Sequence, residues 1–248
     1  MPKKSRTPPP PRRVQAPKHR REQRPGLSPE RRRLILYGVA GSGIVALAAV
    51  LIVVFAGSGS GSAGNPAAIA ATMKAAGCSL TTSQAAPSAE HITSLSASTH
   101  VTYSTYPPTS GRHYYIPPIW GNYTQEVDPR QAVHAEEHGG IVIWVGPGVS
   151  SAERQKINDF YDESPNAMLV TPIANTATAV AYPKHAPPDS KIYLSAWTVQ
   201  IENGNIVNGK NVIATCRRFD EKAFKAFRDE FRGTGPERFP VDSLRPGT

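Results

Sequence analysis

Val133-His134-Ala135-Glu136-Glu137-His138-Gly139-Gly140 is the stretch whose residue types and spacing can do chemistry. On a helical turn His134 and His138 stand at i and i+4, so both imidazoles project from one face and can place two nitrogens on one metal ion. Glu137, three residues after His134, reaches the same neighbourhood. The pattern H-x-x-E-H is also the inverted zinc-peptidase signature, in which two His bind zinc and the Glu polarises the attacking water. Such a peptidase carries the motif in a long helix and takes a further acidic ligand downstream. Here Gly139, Gly140 and an apolar run follow at once, so any helix is short, and nothing marks Glu202 as the downstream acid. The plain alternative is a surface turn whose polar groups cap a helix ending at Gly139-Gly140.

A third ligand is available in Thr109-Ser110-Gly111-Arg112-His113. Three imidazoles from His113, His134 and His138 suit copper or zinc. Glu137 and Met168 are further candidates; the Met168 thioether would favour Cu(I), although a methionine at a strand start more often fills core. His91, His100 and His185 lie in polar stretches and read as exposed. Ser110 lacks the orienting acid and the turn context of a hydrolase nucleophile. Arg112 and Glu136 read as solvated or paired. Tyr103, Tyr106, Tyr114, Tyr115, Trp120 and Tyr123 read as packing for a Pro-rich loop rather than a carbohydrate or peptide platform. Asn122-Tyr123-Thr124 matches a glycosylation acceptor, a pattern too short to carry weight.

These residues need positioning elements, and the pattern predicts one α+β domain with a small, mostly antiparallel sheet and two to four helices. Ala67 to Gly77 reads as a short helix leading into Cys78. Residues 79–100 show little periodicity and read as an extended loop. Val101 to Tyr123 is interrupted by Pro107, Pro108, Pro117 and Pro118, so it reads as ordered irregular surface. Ile141 to Val145 reads as a buried strand, followed by a helix over Ser151 to Glu163 with Ala152, Ile157, Phe160 and Tyr161 on its inner face. Met168 to Thr171, Ala177 to Tyr182 and Lys191 to Ile201 read as strands, with a tight turn at Asn203-Gly204. Phe219 to Phe231 is amphipathic, with Asp220 as N-cap and Phe219, Ala223, Phe224, Phe227 and Phe231 as its apolar stripe.

The formal net charge of +9 is concentrated at one end: residues 1–33 hold twelve Lys/Arg against Glu22 and Glu30. The remaining residues hold 16 basic and 17 acidic groups, so the folded part is nearly neutral and no nucleic acid is expected on it. The Pro-rich tail has too few apolar side chains to offset the entropy of ordering and reads as disordered. Leu34 to Phe55 carries no charge, and as a helix would rise about 33 Å, enough to cross a bilayer. Arg31, Arg32 and Arg33 abut its start, which places the N-terminus in the cytoplasm and the rest outside a plasma membrane. A cleaved signal peptide is the rival, with a shorter apolar core of about 7–15 residues. Next to a bilayer the tail would attract anionic lipid headgroups. Residues 56–66 read as a Gly/Ser linker, and the domain as residues 67–248. Cys78 and Cys216 fall on the outer, oxidising side, where a disulfide is expected; two unpaired buried thiols are the alternative.

At Pro107-Pro108-Thr109-Ser110-Gly111-x-His113, Gly121-x-Tyr123 and Val133-His134-x-x-Glu137-His138-Gly139 the sequence resembles a bacterial family of membrane-anchored proteins without an assigned activity, domain-of-unknown-function 3105. Ala196-Trp197 and the closing Phe-rich helix with Gly235-Pro236-Glu237 fit the same pattern, so the resemblance spans roughly residues 75–240. Trp144 stands where the family often has Tyr, and Ala135-Glu136 replaces a smaller or apolar pair; neither change touches a proposed ligand. The resemblance implies no reaction. It implies that His113, His134, Glu137 and His138 belong to one site.

Three functions follow as expectations. The first is a membrane-anchored extracytoplasmic domain that binds copper or zinc. The second is a zinc-dependent hydrolase with Glu137 as its catalytic group. The third is a structural or interaction module without metal.

Overall fold

Helix formation at the start of the folded region follows from two residues. The Asn65 side chain accepts a hydrogen bond from the Ala67 N–H and Pro66 brings a preset φ, so helix α1 runs Pro66–Ala75. The computed structural model of the chain describes residues 63–173, 180–181 and 191–248. The basic tail, the apolar stretch 34–55, linker residues 56–62 and His185 lie outside the described residues. Among the described residues no helix is long and apolar enough to cross a membrane.

Seven further elements follow: strands β1 (Ser79–Gln84), β2 (His91–Ile92), β3 (Val101–Thr102) and β4 (His113–Tyr114), helix α2 (Pro129–Glu137), strand β5 (Ile141–Val145) and helix α3 (Ser151–Glu163). Then come strands β6 (Met168–Pro172) and β7 (Val180–Ala181), the long hairpin of β8 (Ile192–Glu202) and β9 (Asn205–Cys216), helix α4 (Glu221–Phe231) and a single 3-10 turn at Val241–Ser243. The main sheet has the order β1-β9-β8-β5-β6. It is antiparallel except for β5 and β6, which run parallel and are joined through α3. The domain is α+β, as the pattern predicts.

Residues 79–100 hold more structure than expected. β1 pairs with β9 along its whole length, from Ser79 opposite Thr215 to Gln84 opposite Lys210. It shows no apolar alternation because it is an edge strand with nearly all of its side chains exposed. The hairpin turn lies at Asn203 and Gly204, both at positive φ. Asp220 caps α4 by accepting from the Ala223 N–H, as expected. In α3, Ile157, Phe160 and Tyr161 are buried but Ala152 is exposed, since it lies in the first turn, clear of the sheet.

Side chains alternate across the sheet with period two. Ile141, Ile143 and Val145 join Met168, Leu194, Val212 and the Phe224, Phe227 and Phe231 stripe of α4 in one core. Val142, Trp144, Leu169, Tyr193 and Ile213 face the other way and pack with Trp120, Ala132 and Ala135. Both faces are covered, which is why β5 reads as an unbroken apolar run. Cys78 and Cys216 form a disulfide that closes β1 against β9 across a sequence separation of 138 residues. In the chain-entropy model a loop of that length contributes about 5 kcal/mol. Residues Phe55–Thr248 are one compact unit with these cores and this disulfide of its own, which is what independent folding requires.

Candidate metal centre

Helix α2 carries the H-x-x-E-H residues and is fixed at both ends. Asp128 accepts from the Arg130 N–H at its start, and Pro129 occupies the first turn. The buried Arg130 guanidinium pairs with Asp128 and donates to the carbonyls of Leu95, Ser96 and Thr99, tying the 95–99 loop to the helix. The helix stops at His138, and Gly139 turns the chain away at φ 93°. The segment after α4 laces onto this end: the Gly233 N–H donates to the Gly139 carbonyl and the Glu237 N–H to the Glu137 carbonyl.

One face of α2 looks at a short parallel ladder. In it β2 pairs with β4, and His91 is the register partner of His113. Register partners point to the same side of a ladder, so two imidazoles from distant segments stand together over the helix. Their ring centroids are 4.7 Å apart, and His134 is 4.8 Å from His113 and 5.0 Å from His91.

All three rings converge on one carboxylate oxygen. Glu137 Oε2 is 2.9 Å from His113 Nε2, 3.4 Å from His91 Nε2 and 3.9 Å from His134 Nε2. One ligand atom from each of these four residues lies within 4.8 Å of the others. Four ligands around zinc at about 2.0–2.1 Å stand about 3.3 Å apart, so the observed spacings bracket a tetrahedral set.

Proton positions follow from the backbone. His113 Nδ1 is 2.7 Å from the Gly111 carbonyl and His134 Nδ1 is 2.6 Å from the Tyr114 carbonyl. A carbonyl only accepts, so each Nδ1 carries hydrogen and each Nε2 faces the cluster. Metal-binding imidazoles are oriented by this same arrangement. Between His113 Nε2 and Glu137 Oε2, both lone-pair bearing, either a second proton or a cation is required. Burial pushes His134 down to about 4, so the ring is neutral near pH 7; the Tyr114 contact acts in the opposite sense. Burial would raise Glu137, but its hydrogen-bonding contact with His113 and its electrostatic coupling to the three surrounding imidazoles outweigh burial and hold the carboxyl below its usual value. A neutral nitrogen and an anionic oxygen are what a hard or borderline divalent ion needs.

His138 stands one step outside. Its Nε2 is 3.0 Å from His134 Nε2 and 3.0 Å from Glu237 Oε2, and its ring lies against Phe239. The Glu237 carboxylate accepts, so that nitrogen is the donor and is turned to the acid. Glu136 faces the opposite way, fully buried, and accepts from Ser195 Oγ, which itself accepts from Trp144 Nε1 at 2.8 Å. Burial pushes Glu136 well above its usual value, partly offset by the Ser195 bond.

Other sequence candidates fall elsewhere. Met168 is in the core on the far face of the sheet, the bland alternative for that residue. Glu202 ends β8, exposed and bonded to Gln200. Ser110 Oγ accepts from the Ala86 N–H, and Arg112 pairs with Glu90 at 3.1 Å. His100 is exposed. Tyr103 and Trp120 are buried packing residues, whereas Tyr115 is 48% exposed. His91 and Glu237 are the residues that sequence reasoning missed as parts of the site. His91 is exposed, as expected for its polar segment, yet its imidazole reaches the cluster, and only the β2–β4 pairing reveals this.

No curated protein and no solved structure matches the chain. The family model described as Protein of unknown function (DUF3105) matches residues 94–239. That span contains His113, His134 and Glu137 and leaves His91 just outside. With more than half of its length matched, the chain belongs to the DUF3105 family.

Proposed function

We propose that the domain binds one divalent transition-metal ion, copper or zinc, through the Nε2 atoms of His91, His113 and His134 and through Glu137 Oε2. The observation that carries this reading is the pair of buried imidazoles whose Nδ1 hydrogens are held by the Gly111 and Tyr114 carbonyls, leaving both Nε2 atoms to face Glu137. Three nitrogens and one oxygen favour Zn(II) or Cu(II) over Cu(I), which prefers sulfur. The described methionines, Met73 and Met168, are buried in the opposite core, and both cysteines are in the disulfide. The chain's apolar stretch 34–55 behind Arg31–Arg33 supports a membrane anchor with this domain outside, and twelve basic residues next to it support attraction to anionic lipid at about 1 kcal/mol per residue near the surface.

The hydrolase alternative uses Glu137 as the base rather than as a ligand. Its oxygen stands among three imidazole nitrogens, which favours ligation. Glu137→Gln separates the two: a hydrolase keeps its metal and loses turnover, whereas the ligand reading expects weaker metal retention. Metal content of residues 55–248 after loading with zinc or copper and desalting is the direct test. A folded parent that retains no metal would leave the interaction-module reading in place.

A further inference from the structure

A groove of about 840 Å³ opens beside the cluster and has Glu137 in its wall. It runs from there beneath the far half of the β8–β9 hairpin. Ala85, Val199 and Ile201 line it, and Ile206 and Val207 form an exposed apolar rim, 55% and 50% exposed. Its volume lies within the range of about 300–1,000 Å³ typical of small-molecule sites.

Two features define the occupant. Trp197 lines the groove and is 5% exposed, and its Nε1–H has no hydrogen-bond partner among the described residues. A Cβ built on Gly209 would lie 3.1 Å from Ala85 Cβ and 3.9 Å from that nitrogen, so a side chain there would crowd the indole. A buried N–H without an acceptor is costly, and an acceptor brought in by a ligand removes the cost. The charged groups lining the groove are Glu137 and Glu237, with no Lys, Arg or His among its lining residues, so an anion is disfavoured there.

The geometry points to a binding site for a small neutral organic molecule, with an apolar body in the groove and a carbonyl-type acceptor on Trp197 Nε1. The groove needs no bound metal to be a site; only the statement that its occupant borders a bound metal rests on the metal reading above. Trp197 also sits edge-on to His113, with ring centroids 6.4 Å apart, so occupant and cluster share a wall.

Nile red, a neutral apolar dye with a carbonyl acceptor, is the probe. Residues 55–248 are titrated with it, metal-free and metal-loaded, beside Trp197→Phe and Ala89→Trp. Ala89 is exposed at the groove's mouth, so the second change blocks entry without touching the core. The expected result is one saturable site, weakened roughly five- to tenfold in Trp197→Phe by loss of one hydrogen bond and lost in Ala89→Trp, with metal content unchanged in both. Dye binding by the metal-free protein upholds the groove even if the metal centre fails its own test. Unsaturable binding, equal binding by parent and both variants, or tighter binding of the anionic dye 1-anilinonaphthalene-8-sulfonate overturns the proposal.

Discussion

His134 Nδ1 stands 2.6 Å from the carbonyl oxygen of Tyr114, and this contact decides which nitrogen of the ring faces Glu137. The same ring has His138 Nε2 3.0 Å from its inward nitrogen. Two nitrogens at that distance share one proton, and His138 supplies it, because Glu237 also accepts from it. Metal at His134 therefore displaces a hydrogen bond from His138 rather than adding His138 as a ligand. His138→Ala is expected to keep stoichiometric metal, with affinity unchanged or modestly raised, because metal then has no hydrogen bond to displace at His134. Chelator competition measures this; complete loss of metal would make His138 a ligand.

Gly235 is where the closing segment presses on the end of α2. A Cβ there would fall 2.5 Å from the Glu136 carbonyl oxygen and 2.5 Å from the Gly139 nitrogen, both backbone atoms that cannot turn aside. Gly235→Ala is expected to push the segment off the helix and weaken the Gly233–Gly139 and Glu237–Glu137 hydrogen bonds. The cost is about 1–3 kcal/mol in a urea titration. An unchanged midpoint would mean that the segment packs more loosely than its geometry implies.

Much of this frame is legible in the sequence, for physical reasons. β5 has no polar residue, α4 repeats Phe at helical spacing, and Asn203-Gly204 is a turn by composition, so burial and local chemistry announce each one. The i, i+3 relation of His134 and Glu137 and the bridge between Cys78 and Cys216 were readable in the same way. β1 was not, because an exposed Ser/Thr edge strand has no buried face to imprint a pattern. His91 was not, because its place is set by a two-residue ladder with β4, a long-range pairing with no local signature. His138 misleads for the opposite reason: i+4 spacing puts it beside His134, but the helix ends there and Glu237 from the closing segment accepts from its Nε2.

Ser195 is the partner of two buried polar groups on the far side of α2. Its Oγ receives the Trp144 N–H and donates to Glu136, whose other oxygen, Oε2, already lacks a partner among the described residues. Ser195→Ala leaves the indole and the carboxyl both unsatisfied in the core. A loss of roughly 2–4 kcal/mol in unfolding free energy is expected. A change within 0.5 kcal/mol, about the scatter of a neutral surface substitution, would show that water or a shifted side chain replaces the hydroxyl.

Glu153 joins α3 to the entry of α4. One carboxylate oxygen accepts from Lys156 Nζ and the other from the Phe219 N–H, each at 2.6 Å. The Lys156 bond, then the backbone bond, hold its carboxyl below the usual value. A depressed carboxyl stabilises the fold above its unfolded value and loses that contribution as pH falls through the folded one. Glu153→Gln is expected to melt below the parent at pH 7, with the gap closing in acid. Melting curves across pH check this, and a gap that persists unchanged at pH 3 would assign the effect to packing rather than charge.

In the proposed centre His113, His134, His91 and Glu137 together hold one metal ion. Elemental analysis of residues 55–248, loaded with zinc or copper and desalted, tests it beside His113→Ala/His134→Ala. Close to one metal ion per chain is expected in the parent and almost none in the variant, with both chains folded by circular dichroism. A folded parent that retains no metal, or a variant that retains as much as the parent, would contradict it.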